Sequence, residues 1–129
     1  MHGNVRVGII GAGEIAKYHI QILKEIPTVE ICAICDIDLS KAQALAIEND
    51  IDNSYDNHSK MFAEQKPDVI HVLTTPEFHM QLSCEAMESD CHVLVEKPMA
   101  LSYKDANQMV LTAKKTKKHL AVCEMYLYD

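Results

Sequence analysis

The stretch VGIIGAGEIAKYH, Val7–His19, runs from an apolar, strand-like segment through two glycines into a helical pattern. Val5 to Ile10 carries only Arg6 as a charge; Gly11, Ala12 and Gly13 follow, and Ala16 lies three positions on, giving Gly-x-Gly-x-x-Ala between strand and helix. Gly11 lets the chain turn tightly off the strand, Gly13 lets backbone approach a pyrophosphate without a Cβ in the way, and small Ala16 lets the helix pack close to the strand. A pyrophosphate there would face the free N–H groups of the first helical turn, at Glu14 and Ile15, where the aligned peptide dipoles favour negative charge by about 0.3 to 1 kcal/mol. Glycine-rich turns of this kind also serve as plain packing devices, so the rest of the chain decides between the two uses.

The first test comes at the end of the second apolar run, Val29 to Cys35, which stops at Asp36. Asp36 is twenty residues past Ala16, the interval at which a dinucleotide fold places a carboxylate to accept hydrogen bonds from the ribose hydroxyls. The same carboxylate repels a 2′-phosphate, and neither Ile37 nor Asp38 is a base that would receive one, which favours NAD over NADP. The alternative is that Asp36 only begins the turn into the next helix.

Between these landmarks, Ile15, Tyr18, His19, Ile22, Leu23 and Ile26 recur at helical spacing, predicting a helix from Glu14 to Ile26 that Pro27 ends. His19 lies on its apolar face as a core or boundary histidine. Further on, the pattern predicts a helix over Leu39–Ile47, a very short strand at Ser54 and Tyr55, a short helix over His58–Gln65 and a strand over Val69–Thr74 with His71 as a hydrogen-bonded interior residue. A helix then begins at Pro76, tolerated there because the first turn needs no N–H, and runs to Ser89. A strand over His92–Val95, a helix from Ser102, where Ser102 and Asp105 form a capping pair, and a strand over Leu120–Met125 complete six strands alternating with helices. That alternation predicts an α/β, doubly wound parallel sheet of six strands, a Rossmann fold in a single domain over 1–129.

In such a sheet the cofactor crevice lies at the carboxyl ends of the first and fourth strands. Thr74, Thr75 and Pro76 therefore stand beside the glycine turn, and His79 either faces the cofactor or bonds a neighbouring loop. At the mouth of the fifth strand, Glu96 and Lys97 precede Pro98. Either they form an exposed edge, or Lys97 reaches into the crevice at its nicotinamide end; a cis bond before Pro98 is open to the chain.

Composition sets the outer limits. A chain of 129 residues, 48% hydrophobic and 24% charged, with no repeat, suits one globular domain. Its net charge of −7 argues against nucleic acid or an anionic membrane as partner. The lysines at 114, 115, 117 and 118 read as a solvated helix end. No apolar run approaches a membrane span and MHGNVRV has no signal-like apolar centre, so the expected location is cytoplasmic. The five cysteines fit a reducing compartment. Cys32 and Cys35 form a C-x-x-C, but in a regular strand residues three apart face opposite ways, so no metal or redox site is expected of them.

Taken together, GAGEIAKYH, Asp36, TTPEFH (Thr74–His79), CHVLVEKPMA (Cys91–Ala100) and the closing strand resemble the N-terminal domain of the glucose-fructose oxidoreductase, inositol dehydrogenase and rhizopine-catabolism oxidoreductase family, with Glu-Lys-Pro the most specific element. The resemblance implies a nicotinamide-dependent oxidoreductase acting on an alcohol carbon of a sugar, inositol or related polyol. It implies that Lys97 is the catalytic residue, hydrogen-bonding the reacting hydroxyl. It also implies contacts to NAD from the glycine turn, Asp36, the Thr74–Pro76 loop, His79 and Glu96, and, more weakly, from Glu124 and Tyr126 toward cofactor or substrate. Family members carry a second domain with the substrate pocket, so the chain is expected to be an N-terminal portion that binds cofactor without useful turnover and self-associates through uncovered apolar surface.

Overall fold

The computed structural model describes residues 4–124. Its elements are β1 (Val5–Ile10), α1 (Glu14–Lys24), β2 (Val29–Cys35), α2 (Leu39–Glu48), β3 (Ser54–Tyr55), α3 (His58–Gln65), β4 (Val69–Val72), a 3-10 turn (Pro76–Phe78), α4 (His79–Glu88), β5 (His92–Glu96), α5 (Tyr103–Thr116) and β6 (Leu120–Cys123). All strand pairs are parallel and the sheet order is β3-β2-β1-β4-β5-β6. This is the doubly wound Rossmann order.

Strand alternation sorts the core into two layers. Val7, Ile9 and Ile34 meet Ala16, Ile20 and Leu23 of α1 and Ala42 and Leu45 of α2 on one face. Ile70, Val72, Val93 and Val95 meet Met61 of α3, Met87 of α4 and Met109 of α5 on the other. Because β1 hands the chain to α1 and β4 hands it to α4 on the opposite face, the two connections diverge and a crevice opens between their starts.

The boundaries move for local reasons. α1 stops at Lys24 rather than Ile26, because the residue before a proline is pushed out of the helical region; the Glu25 and Ile26 N–H groups close the last turn on the carbonyls of Ile22 and Leu23 respectively. The β4 ladder ends at Val72, two residues before Thr74. The helix expected from Pro76 begins as one 3-10 turn, a common start that leaves α4 proper to begin at His79. Ser102 caps α5 as expected, accepting from the Asp105 N–H at 3.1 Å. β6 ends at Cys123, and Met125 lies outside the described residues.

One expectation fails on a physical detail. The β1–β2 register jumps between Val7 and Gly8, pairing Val7 with Ile31 and Gly8 with Ala33, so Cys32 is the extra residue of a bulge. The bulge cancels the alternation, and Cys32 and Cys35 face the same core cluster. Burial raises both thiols, Cys35 to about 12 with Asp36 and Asp56 adding to it, which holds them protonated and unreactive.

Candidate cofactor site

The glycine turn is built as the sequence requires. Gly11 has φ +109°, and a Cβ there would lie 2.8 Å from the backbone C and O of Leu73 and 3.0 Å from the Thr74 N. Its N–H donates to the Cys35 carbonyl at 2.8 Å, tying the turn to the end of β2. Gly13 caps α1 with extended backbone and no side-chain bond, and a Cβ added to it meets nothing within 4 Å. The first glycine is required by the protein, whereas the second keeps open space at a helix N-terminus.

Asp36 closes the other side. Its Oδ2 accepts from the Ala12 N–H at 2.8 Å and its Oδ1 from the Asp38 N–H at 2.8 Å. Each oxygen keeps a second lone pair, so the carboxylate is fixed in place yet can still accept from two hydroxyls. Between Asp36, the glycine turn and the segment after β4 lies a cleft of about 590 Å³, lined by Gly11, Gly13, Asp36, Thr74 and Thr75 among the expected residues. Sequence reading did not anticipate Asp56, Lys41 or Phe78, which also line it. Phe78, 47% exposed on the 3-10 turn, presents an apolar plate there, inside the TTPEFH stretch but not singled out by its spacing. With Asp36, Asp38 and Asp56 against Lys41, this end of the cleft is acidic.

Glu14, Ile15 and Pro76 adjoin the cleft in sequence without lining it, and the remaining candidates sit elsewhere. His79 is 1% exposed, and its ring bonds two carbonyls, Thr74 O at 2.9 Å and Pro98 O at 2.8 Å. It is therefore a tie between the loop after β4 and the turn after β5, the second of the two uses open to it. The Lys97–Pro98 bond is cis. The Lys97 side chain is 56% exposed, with its Nζ 4.0 Å from Glu124 Oε1; Tyr126 lies outside the described residues.

Glu96 turns away from the cleft. Its Oε2 lies 2.9 Å from His19 Nε2 of α1, and His19 Nδ1 lies 2.9 Å from His71 Nδ1 of β4. Cys123 of β6 completes the group, its thiol pushed up by burial and then by the Glu96 carboxylate. One donor atom from each of His19, Glu96 and Cys123 falls within 4.8 Å of the others. Two ligands on a tetrahedral zinc at about 2.0 Å stand about 3.3 Å apart. The shorter His19–Glu96 distance is that of a hydrogen-bonded pair.

Burial, and then the neighbouring His19, lower His71 to about 4 from its ordinary 6.5. The unfolded chain takes up this proton as pH falls below about 6.5 while the folded chain does not, so stability present above that pH is lost between about 6.5 and 4, by up to about 3 kcal/mol. Urea unfolding at pH 7 and pH 4.5 should show this loss, and His71→Asn should shrink it; an unchanged pH slope in the variant would contradict the assignment.

Comparison with known proteins agrees with this geometry. A family model described as oxidoreductase family, NAD-binding Rossmann fold, matches residues 5–124. The chain is 40% identical over 118 residues to D-glucoside 3-dehydrogenase of Escherichia coli K12, covering 91% of this chain and 34% of that protein. It is 32% identical to glycosyl hydrolase family 109 protein 1 of Akkermansia muciniphila, covering 96% and 28%. Among solved structures, the WlbA dehydrogenase of Bordetella pertussis, in complex with NADH and UDP-GlcNAcA, superposes with a TM-score of 0.89 at 27% identity, over 93% of this chain and 37% of that one. The chain thus spans about a third of the length of the relatives it matches.

Proposed function

This chain belongs to the oxidoreductase family with an NAD-binding Rossmann fold, and on that footing we propose that it is the cofactor-binding domain of a dehydrogenase moving hydride between NAD(H) and an alcohol carbon of a sugar, inositol or related polyol. The observation that carries this reading is Asp36, locked onto the glycine turn through Ala12 with lone pairs left for a ribose. The open space at Gly13 fits a pyrophosphate at the start of α1. The acidic ribose side favours NAD over NADP.

The hydride chemistry is the nicotinamide's when NAD is bound. In this reading the chain's residues hold and orient: the glycine turn and first amides of α1 take the pyrophosphate, Asp36 takes the ribose, and Thr74 and Thr75 form the facing wall. Lys97, on the half of the sheet away from Asp36, donates a hydrogen bond to the substrate oxygen and stabilises the negative charge that develops there. Glu124, 4.0 Å from Lys97, sets the local charge beside it.

Asp36→Ala should weaken NADH binding by about 1.5 to 3 kcal/mol, the size of charge-assisted hydrogen bonds, as read by calorimetric titration of the chain; unchanged affinity would remove the ribose assignment. The sugar substrate class is proposed from the likeness to D-glucoside 3-dehydrogenase and the WlbA dehydrogenase. The likeness to a family 109 glycosyl hydrolase favours a second reading, in which the domain serves cleavage of a glycoside. Accumulation of NADH during turnover supports the first reading, and hydrolysis without it the second. No helix among the described residues is long and apolar enough to cross a membrane, and five free cysteines suit a reducing cytoplasm.

A further inference from the structure

The line His71–His19–Glu96 joins three elements that the chain connects only through long excursions. His71 and His19 are 52 residues apart and His19 and Glu96 are 77 apart. The rings of His19 and His71 meet edge to face, with centroids 5.1 Å apart. Both histidines are buried, and the Glu96 side chain is 15% exposed. A carboxylate is costly to take out of water unless it is well bonded, and an apolar side chain would fill the same space without that cost. Packing alone therefore gives no reason for a glutamate here.

The hydrogen-bond directions are constrained. A carboxylate accepts, so the His19 Nε2–H donates to Glu96. With the neutral His71 donating its Nδ1–H to His19 Nδ1, both short contacts are satisfied by uncharged rings. Glu96 also faces the thiol of Cys123. Its carboxylate therefore ties α1, β5 and β6 together.

The position of this tie relative to the cleft gives it a use. α1 is the helix whose N-terminus meets the pyrophosphate turn, and His19 stands six residues past the Gly13 cap, about 9 Å along the axis. Glu96 is the last residue of β5, and Lys97 follows it directly. The adenosine half of a dinucleotide lies on the Asp36 side of the crevice, and the other half lies over the ends of β4 and β5.

We propose that Glu96 is a positioning residue for the nicotinamide half of the cofactor: anchored on His19, it fixes the end of β5, next beyond the lined part of the cleft, by reference to the same helix that would hold the pyrophosphate. The inference rests on the reading of the cleft as a dinucleotide site. The end of β5 lies outside the residues that line the cleft, so in this reading it would carry the half of the cofactor beyond them, while the Lys97 ammonium acts on the substrate.

The test compares two ligands on the full chain, NADH and ADP-ribose, which lacks the nicotinamide. Glu96→Ala should lower affinity for NADH about tenfold, the size of one charge-assisted bond, and leave that for ADP-ribose within about twofold. Glu96→Gln, whose amide oxygen still accepts from His19, should recover most of the loss. His19→Gln, made from the helix side, should reproduce the Glu96→Ala pattern and serves in its place if that variant does not fold. The double variant should lose no more than either single one. Parallel weakening of both ligands, or unchanged NADH affinity in the folded variants, would overturn the proposal. Binding of neither ligand by the unaltered chain would instead remove the cofactor site, and this inference with it.

Discussion

Gly11→Ala is expected to destabilise the domain by about 3 kcal/mol or more and to abolish NADH binding. Two costs add. The residue sits at φ +109°, where a side chain costs about 1 to 3 kcal/mol in backbone strain. Its Cβ would also stand 2.8 Å from the Leu73 carbonyl group, and overpacking of this kind costs about 1 to 3 kcal/mol. The obstacle is backbone immediately after β4 and cannot rotate aside as a side chain would. Relief requires the glycine turn to move, which breaks the Gly11–Cys35 bond and the Ala12–Asp36 bond. Gly13→Ala is the matched control. Its Cβ meets no protein atom within 4 Å, so stability should change by under about 1 kcal/mol while NADH affinity falls, because the methyl group enters the cleft. Urea midpoints and NADH titrations of the two variants should dissociate in this way; equal destabilisation by both would show that the second glycine is not reserved for a ligand.

If Lys97 acts as proposed, Lys97→Ala in a full-length dehydrogenase built on this domain should lower kcat by about 10² to 10³, the usual loss when one donor to a developing oxyanion is removed, with NADH affinity changed by less than about threefold. The side chain is half exposed at the end of β5. A thermal midpoint within about 2 °C of the parent is the accompanying expectation. Turnover unaffected by the substitution would favour a module that binds NAD without catalysis, since such a module gives Lys97 no task.

The fold was legible because three kinds of signal agree. Alternating apolar runs placed the six strands, Gly11 and Gly13 fixed the first turn, and Asp36 stood at the interval that a β-α-β unit of this size requires. The misses have physical causes. A bulge at Cys32 leaves no trace in a run where every residue is apolar, so the two cysteines were assigned to opposite faces. The 3-10 turn at Pro76 is a choice of hydrogen-bond partner that periodicity does not record. The His71–His19–Glu96 line was invisible for another reason: each residue, read singly, is an ordinary polar member of its element, and only the sheet order brings β4 and β5 together under α1. The signal that was available is that His71 and Glu96 are polar residues on the α1 side of adjacent strands, while His19 is the polar residue on the inner face of α1. His79 reads from sequence as facing either ligand or loop, and its two carbonyl partners tie it to the loops.

In the proposed reading, the cleft between the glycine turn and Asp36 is an NAD site whose acidic side rejects an added phosphate. Calorimetric titration of the chain with NADH and with NADPH under identical conditions tests it most directly. Saturable one-to-one binding of NADH is expected, with NADPH weaker by about tenfold or more, the effect of setting a 2′-phosphate against a fixed carboxylate. Equal affinities, or no binding of NADH, would contradict it.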